Sequence, residues 1–267
     1  MKKKIFRWVK LIVLLYCIIG IGIYYLQDKI LFHPQPVGRD STYNFAAAYR
    51  EVNLPYSKDV NINIIEFTTK DTPVKGVVLY FHGNRNNISR YAAYAPNFTR
   101  NGYEVWMMDY PGYGKSTGDF TEQQLYNWAL VFYTLARARY SPGQIILYGK
   151  SMGTGIAAQL ATIRDSKALI LESPYYSLPS IVSSYFPVYP MERMIHFKIP
   201  TWQYLQQVPT TVTIFHGTDD GVIRFGNCKR LLPYLKKEDQ LIKIEGGSHN
   251  DLSDYPLYQQ KLDSLLR

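Results

Sequence analysis

Gly149-Lys150-Ser151-Met152-Gly153 is the segment of this sequence best suited to covalent chemistry. A serine becomes a useful nucleophile when its hydroxyl stands clear of the backbone and meets a base. Glycines two residues before and after it let a strand turn into a helix tightly enough to expose it. The apolar run 144–148 (QIILY) precedes the motif and a helical pattern over 153–163 follows it. That context separates the motif from an ordinary helix cap. A helix beginning here also turns its positive end toward an oxyanion forming on a bound carbonyl.

Five histidines compete to be the base. His33 lies early in the chain and His196 in a long connection. His82 and His216 each end a strand and precede a glycine, positions that serve turn geometry. His249, in Gly246-Gly247-Ser248-His249-Asn250, sits in a glycine-rich loop after the last predicted strand. That loop can reach the sheet edge where Ser151 points, so His249 is the candidate base. An imidazole base needs a carboxylate to fix its tautomer. Asp220, in His216-Gly217-Thr218-Asp219-Asp220-Gly221, follows a strand at the same edge. The order Ser151, Asp220, His249 matches one of the known triad orders. Asp219 is the immediate rival, better suited to capping the turn, and Glu172 is another.

These residues need a scaffold that ends several strands together. Strand patterns fall at 61–68, 74–81, 103–108, 144–148, 168–171, 210–215 and 241–244. Helical patterns fall at 121–139, with Thr121 as N-cap, and at 153–163, 227–235 and 257–266. The alternation predicts an α/β fold, a mostly parallel sheet with helices on both faces. Residues 174–208, rich in tyrosine, form a long lid-like insertion after the 168–171 strand. The domain is assigned to 59–267, and 27–58, with Pro34, Pro36, Gly38 and Pro55, to a juxtamembrane lead-in without strong periodicity.

Residues 11–26 contain no charge and would extend about 24 Å as a helix, against a hydrocarbon core of ~30 Å. Lengthening the helix back to Ile5 closes the gap if Arg7 and Lys10 snorkel. Five of the 30 basic residues lie in the first ten positions, so much of the +9 charge is a local patch and not a nucleic-acid surface. Basic residues before the apolar run predict a cytoplasmic tail at 1–10, an anchor at 11–26 and a domain on the non-cytoplasmic side; the run continues past Gly20-Ile21-Gly22, which favours a retained anchor over the alternative of a cleaved leader. Two cysteines, Cys17 and Cys228, are too few for a disulfide framework or a cysteine zinc site.

Gly112-Tyr113-Gly114-Lys115-Ser116 resembles the end of a phosphate-binding loop, but Asp109 stands where that motif requires glycine.

Taken together, Phe32-His33-Pro34, Phe81-His82-Gly83-Asn84, the 109–116 turn, Gly149–Gly153, Leu171-Glu172-Ser173-Pro174, 216–220 and 247–250 resemble the α/β-hydrolase superfamily. More narrowly they are similar to its membrane-anchored, Bem-type serine hydrolases. The resemblance covers roughly 230 residues in order. It implies an α/β-hydrolase fold and selects Asp220 over Asp219. It also implies that the amides of Asn84 and Met152 form the oxyanion hole. Many relatives carry small residues after the His-Gly-Asn triplet, whereas Arg85, Asn86 and Asn87 stand here. The implied activity is cleavage of carboxylic or thioesters, small or lipid-like, through an acyl-enzyme, with no cofactor or metal. Tyr175, Tyr176 and Arg85 are the candidate substrate contacts.

Overall fold

The computed structural model describes all 267 residues. Eight strands form one sheet: β1 (Tyr49–Ser57), β2 (Val60–Phe67), β3 (Gly76–Phe81), β4 (Tyr103–Met108), β5 (Ile145–Lys150), β6 (Ala168–Glu172), β7 (Val212–Gly217) and β8 (Gln240–Ile244). Their spatial order is β8-β7-β6-β5-β3-β4-β2-β1. β2 runs antiparallel to both neighbours, and every pair from β4 to β8 is parallel. The parallel strands therefore end together at one edge, where loops from separate crossovers converge.

Side chains alternate across the sheet as a two-residue period demands. In β3, Val77, Leu79 and Phe81 enter one core layer, while Val78 and Tyr80 enter the other. The first layer is closed by two helices, α2 (Glu122–Arg137) and α3 (Met152–Ile163). Thr121 caps α2, its hydroxyl accepting the Gln124 N–H at 3.2 Å. The second layer is closed by short helices at Ile88–Tyr91 and Pro96–Thr99 and by a long final helix, Pro256–Leu265, burying Tyr258 and Leu262.

Two expectations about the first sixty residues need correction. The opening helix, α1, runs Lys2–Leu31, past Gln27, Asp28 and Lys29, well beyond the predicted 11–26. The stretch 27–58, expected as a lead-in, contains β1, which pairs with β2 from Tyr49 to Ser57. β1 escaped notice because it is an edge strand with Arg50, Glu51, Asn53 and Pro55, composition that a strand tolerates only at an edge. Between them, His33–Pro34 pairs in parallel with Arg85–Asn86, so the chain leaving α1 is stitched to the loop after β3.

The insertion after β6 folds into three short helices, Leu178–Tyr185, Met191–Met194 and Thr201–Leu205. Ser177 opens the first with a reciprocal cap involving Ser180. The helical pattern expected over 227–235 is instead broken into Phe225–Lys229 and a 3₁₀ turn at Leu232–Tyr234, where Pro233 interrupts it.

Candidate active site

Ser151 lies between β5 and α3 with φ +52° and ψ −121°, outside the regions a side-chain-bearing residue normally occupies. The flanking glycines make this turn possible. A Cβ on Gly149 would sit 2.5 Å from the Gly153 carbonyl, and one on Gly153 would sit 2.0 Å from that of Phe81. The strained conformation is held by the Ser151 N–H donating to the Glu172 carbonyl at 2.9 Å.

His249 Nε2 lies 3.0 Å from Ser151 Oγ, and its Nδ1 lies 2.8 Å from Asp220 Oδ2. The three residues come from loops after β5, β7 and β8. The other Asp220 oxygen accepts the amides of Val222 and Ile223 at 2.9 and 2.8 Å. Burial alone would raise the Asp220 carboxyl. The His249 hydrogen bond and charge, the Ile223 amide and nearby His216 outweigh it and hold the group below the usual carboxylate value. Asp219, the rival, is exposed and accepts the neighbouring Thr218 hydroxyl at 3.1 Å. Glu172, the second rival, faces Lys150, Tyr148 and Tyr258.

His216 and His82 have structural surroundings. His216 is fully buried, pairs with the Ile223 carbonyl at 2.8 Å and lies 3.5 Å from Asp220. Burial holds its pKa below the usual imidazole value. His82 contacts its neighbour's carbonyl and lies 3.3 Å from buried Asp109, which in turn accepts the Ile88 amide.

The Asn84 amide and the Met152 amide, at the first position of α3, have no acceptor within the protein. Asn84 and Met152 both border Ser151 in a small recess of about 70 Å³. The Asn84 loop is braced from below. Its side chain donates to the Leu31 carbonyl, its own carbonyl accepts from His33 N–H and the Tyr113 hydroxyl, and Asn87 reaches the Gln35 carbonyl. Asn86 takes a positive φ of 70°, a conformation asparagine tolerates, and Asn87 caps the Ile88–Tyr91 helix. The polar triplet after Gly83-Asn84 thus shapes and fastens the loop.

The recess opens into a cleft of about 430 Å³. Its lining includes apolar Ile30, Leu31, Ile181, Val182, Phe186 and Val222 together with Arg85 and Arg90. Neither guanidinium forms an ion pair. Of the candidate substrate contacts, Arg85 borders this cleft and Tyr175 the recess. Tyr175 is fully buried and donates to the Met152 carbonyl at 3.1 Å, so it also fixes the start of α3. Tyr176 is misplaced by the sequence reading. It borders neither space; its ring stacks on Trp202 at 5.5 Å with Arg230 above it at 3.8 Å. Consecutive residues point to opposite sides of an extended chain, so both tyrosines could not face Ser151.

Sequence reasoning missed Lys150 and the end of α1. Lys150 pairs with Glu172 and donates to the His249 carbonyl at 3.2 Å, tying the histidine loop to β5. Its position inside the glycine motif was the available signal. Ile30 and Leu31 carried none, since they fell in the 27–58 stretch read as a lead-in without strong periodicity.

A model of the family described as serine aminopeptidase, S33, matches residues 72–207. The chain is 31% identical over 192 residues to human alpha/beta hydrolase domain-containing protein 17B, covering 70% of this chain and 65% of that protein. It is 30% identical over 194 residues to protein 17C of Xenopus tropicalis, covering 71% and 61%. The chain thus spans less than two thirds of the length of these curated relatives. Among solved structures it is similar to an esterase of Pyrococcus furiosus, with a TM-score of 0.65 at 17% identity over 88% of this chain and 96% of that one. A monoacylglycerol lipase of Paleococcus ferrophilus gives 0.58 at 17% identity, covering 77% and 98%.

Proposed function

Since the chain belongs to the α/β-hydrolase superfamily, in the family described as serine aminopeptidase, S33, we propose that it is a membrane-anchored serine hydrolase that cleaves carboxylic esters or thioesters. The observation that carries this reading is the continuous line from Asp220 through His249 to Ser151, at 2.8 and 3.0 Å, with the serine in a strained turn at the floor of a cleft.

In this reading His249 Nε2 takes the Ser151 proton as Oγ attacks the substrate carbonyl. Asp220 holds Nδ1–H and stabilises the imidazolium. The amides of Asn84 and Met152 receive the tetrahedral oxyanion, aided by the positive end of α3. His249 then protonates the leaving group, and water, activated by the same imidazole, releases the acid. The apolar lining suits an acyl chain, and Arg85 with Arg90 offers cationic surface to the other part of the substrate. No step calls for a metal or an organic cofactor.

The α1 helix fits the anchor: it is long and apolar enough to cross a membrane, and its most apolar window is almost wholly exposed. With Lys2, Lys3, Lys4 and Arg7 at its start, the tail is cytoplasmic and the catalytic domain lies on the other side. Amide cleavage is the second reading, favoured by the family's description. Labelling with a fluorophosphonate, beside Ser151→Ala, tests the nucleophile; matched p-nitrophenyl esters and p-nitroanilides then separate the two chemistries. An unlabelled, folded protein would remove the enzyme reading in favour of a binding protein.

A further inference from the structure

Tyr16, Gly20, Ile23 and Gln27 recur at spacings of four, three and four, which aligns them on one face of α1. The insertion covers that face. Tyr16 stacks on Tyr189 with centroids 4.5 Å apart and planes 6° from parallel. The Tyr189 hydroxyl donates to the Tyr16 carbonyl at 2.9 Å, and the Tyr16 hydroxyl donates to that of Val188 at 3.1 Å. Gly20 permits the approach, since a Cβ there would lie 3.0 Å from the Tyr189 ring. Ile23 is buried with Val182, Met191 and Ile195. Gln27, only 2% exposed, donates to the Met194 carbonyl at 3.1 Å and accepts the His196 N–H at 2.6 Å.

The remaining faces of these turns are bare and apolar, with Ile18, Ile19, Ile21, Tyr25 and Leu26 exposed. A helix apolar around its circumference needs an apolar medium wherever protein does not cover it. The insertion prolongs this surface through exposed Tyr185, Phe186 and Val188. Eleven residues separate Tyr16 from Gln27, roughly 16 Å of helix, so the loop beside Tyr16 lies as deep as the middle of a ~30 Å hydrocarbon core. Three of its polar backbone groups are answered locally: Phe186 N–H bonds to the Val182 carbonyl, Tyr189 N–H to that of Phe186, and Val188 C=O to Tyr16, while Pro187 has no N–H to satisfy. Exposed Glu192 and Arg193 belong to the short helix that packs near Ile23 and Gln27, closer to the headgroups.

We propose that residues 185–189 are immersed in the bilayer beside α1, and that the catalytic cleft opens sideways onto the hydrocarbon and draws its acyl chain from a membrane-resident ester or thioester. The inference rests on the anchored-hydrolase reading above. The cleft is lined both by Ile30 and Leu31 of α1 and by Ile181, Val182 and Phe186 of the insertion. A chain entering between them goes from lipid to protein without passing through water, which removes the hydrophobic penalty on long acyl groups.

The test uses the full chain in phosphatidylcholine vesicles, with Cys17→Ser and Cys228 left in its buried place. An environment-sensitive fluorophore is attached in turn to Val188→Cys, Ile19→Cys and Lys237→Cys, and quenching by tail-labelled nitroxide lipids is read. Positions 188 and 19 should be quenched and 237 should not. Quenching at 19 without quenching at 188 overturns the immersion and leaves the anchor standing. Quenching at neither removes the anchor reading and this inference with it. In parallel, Val188→Asp should lower hydrolysis of vesicle-borne p-nitrophenyl palmitate by about tenfold or more while leaving water-soluble p-nitrophenyl acetate unaffected. An equal loss on both esters, or on neither, overturns the proposal.

Discussion

Lys150 and Ser151 are adjacent in the chain, and each belongs to a buried acid–base cluster. In the first, Glu172 accepts from Lys150, Tyr148 and Tyr258, and Lys150 also reaches the His249 carbonyl. Every polar group has a partner inside the protein, and burial drives the Tyr148 and Tyr258 hydroxyls far from ionisation. In the second, Asp220 is fully satisfied but Ser151 Oγ borders the cleft, beside two amides without acceptors. Both clusters contain a carboxylate, a base and a hydroxyl. The difference is that one is closed and the other keeps two amide donors and the Ser151 hydroxyl free at the cleft, the arrangement that the proposed chemistry requires. A saturated cluster resists change of charge and serves as a fixed wall for its neighbour.

Four measurements can sharpen or break this contrast. Ser151→Ala should lower kcat/KM on a p-nitrophenyl ester by about 10⁶-fold with an unchanged thermal midpoint; retained turnover would take the nucleophile role from the open cluster. Asp220→Asn should cost about 10⁴-fold, while Asp219→Asn should stay near wild type, and the reverse ranking would move the acid. Lys150→Met should remove about 3–5 kcal/mol of stability by stranding the Glu172 charge, seen in denaturant titration. Lys150→Met with Glu172→Leu should recover most of that loss. Activity lost without any stability change would instead make the closed cluster part of the chemistry.

The smallest effect concerns pH. Asp220 has its carboxyl held below the unfolded value, so its stabilisation is complete above the unfolded carboxyl pKa of about 3.9 and fades as pH falls through the lower folded value. Burial holds the His216 pKa below its unfolded value, so the unfolded form gains a proton first, and stability falls as pH drops below about 6.5. Denaturation midpoints of wild type and Asp220→Asn, measured from pH 7 to pH 3, should converge at the acid end. A gap that widens toward low pH would reverse the assigned direction.

The parallel strands and the Ser151 turn were legible because buried strands are apolar runs and a tight strand–helix turn demands glycine; 145–150 and 149–153 state both plainly. β1 was illegible because an edge strand is half solvated and Arg50, Glu51 and Pro55 erase its pattern. Tyr176 was misread because aromatic composition does not say which side of the chain a ring takes. The contacts of Gln27 were hidden for another reason: a glutamine at the end of an apolar run reads as the place where a helix leaves the membrane. Its two insertion partners, Met194 and His196, lie more than 160 residues away.

α1 continues without interruption to Leu31, and two residues later the chain is hydrogen-bonded to the loop that carries Asn84. There is no slack between α1 and the Asn84 loop, so the helix has a rotational phase as well as a position. One residue inserted between Gln27 and Phe32 would turn Tyr16 and Gly20 by about 100° relative to the domain and carry them off Tyr189. Exchanging α1 for a foreign helix is therefore an alignment problem. A graft must preserve the count of residues to Phe32, whereas a protein on a flexible tether would accept any apolar segment of sufficient length.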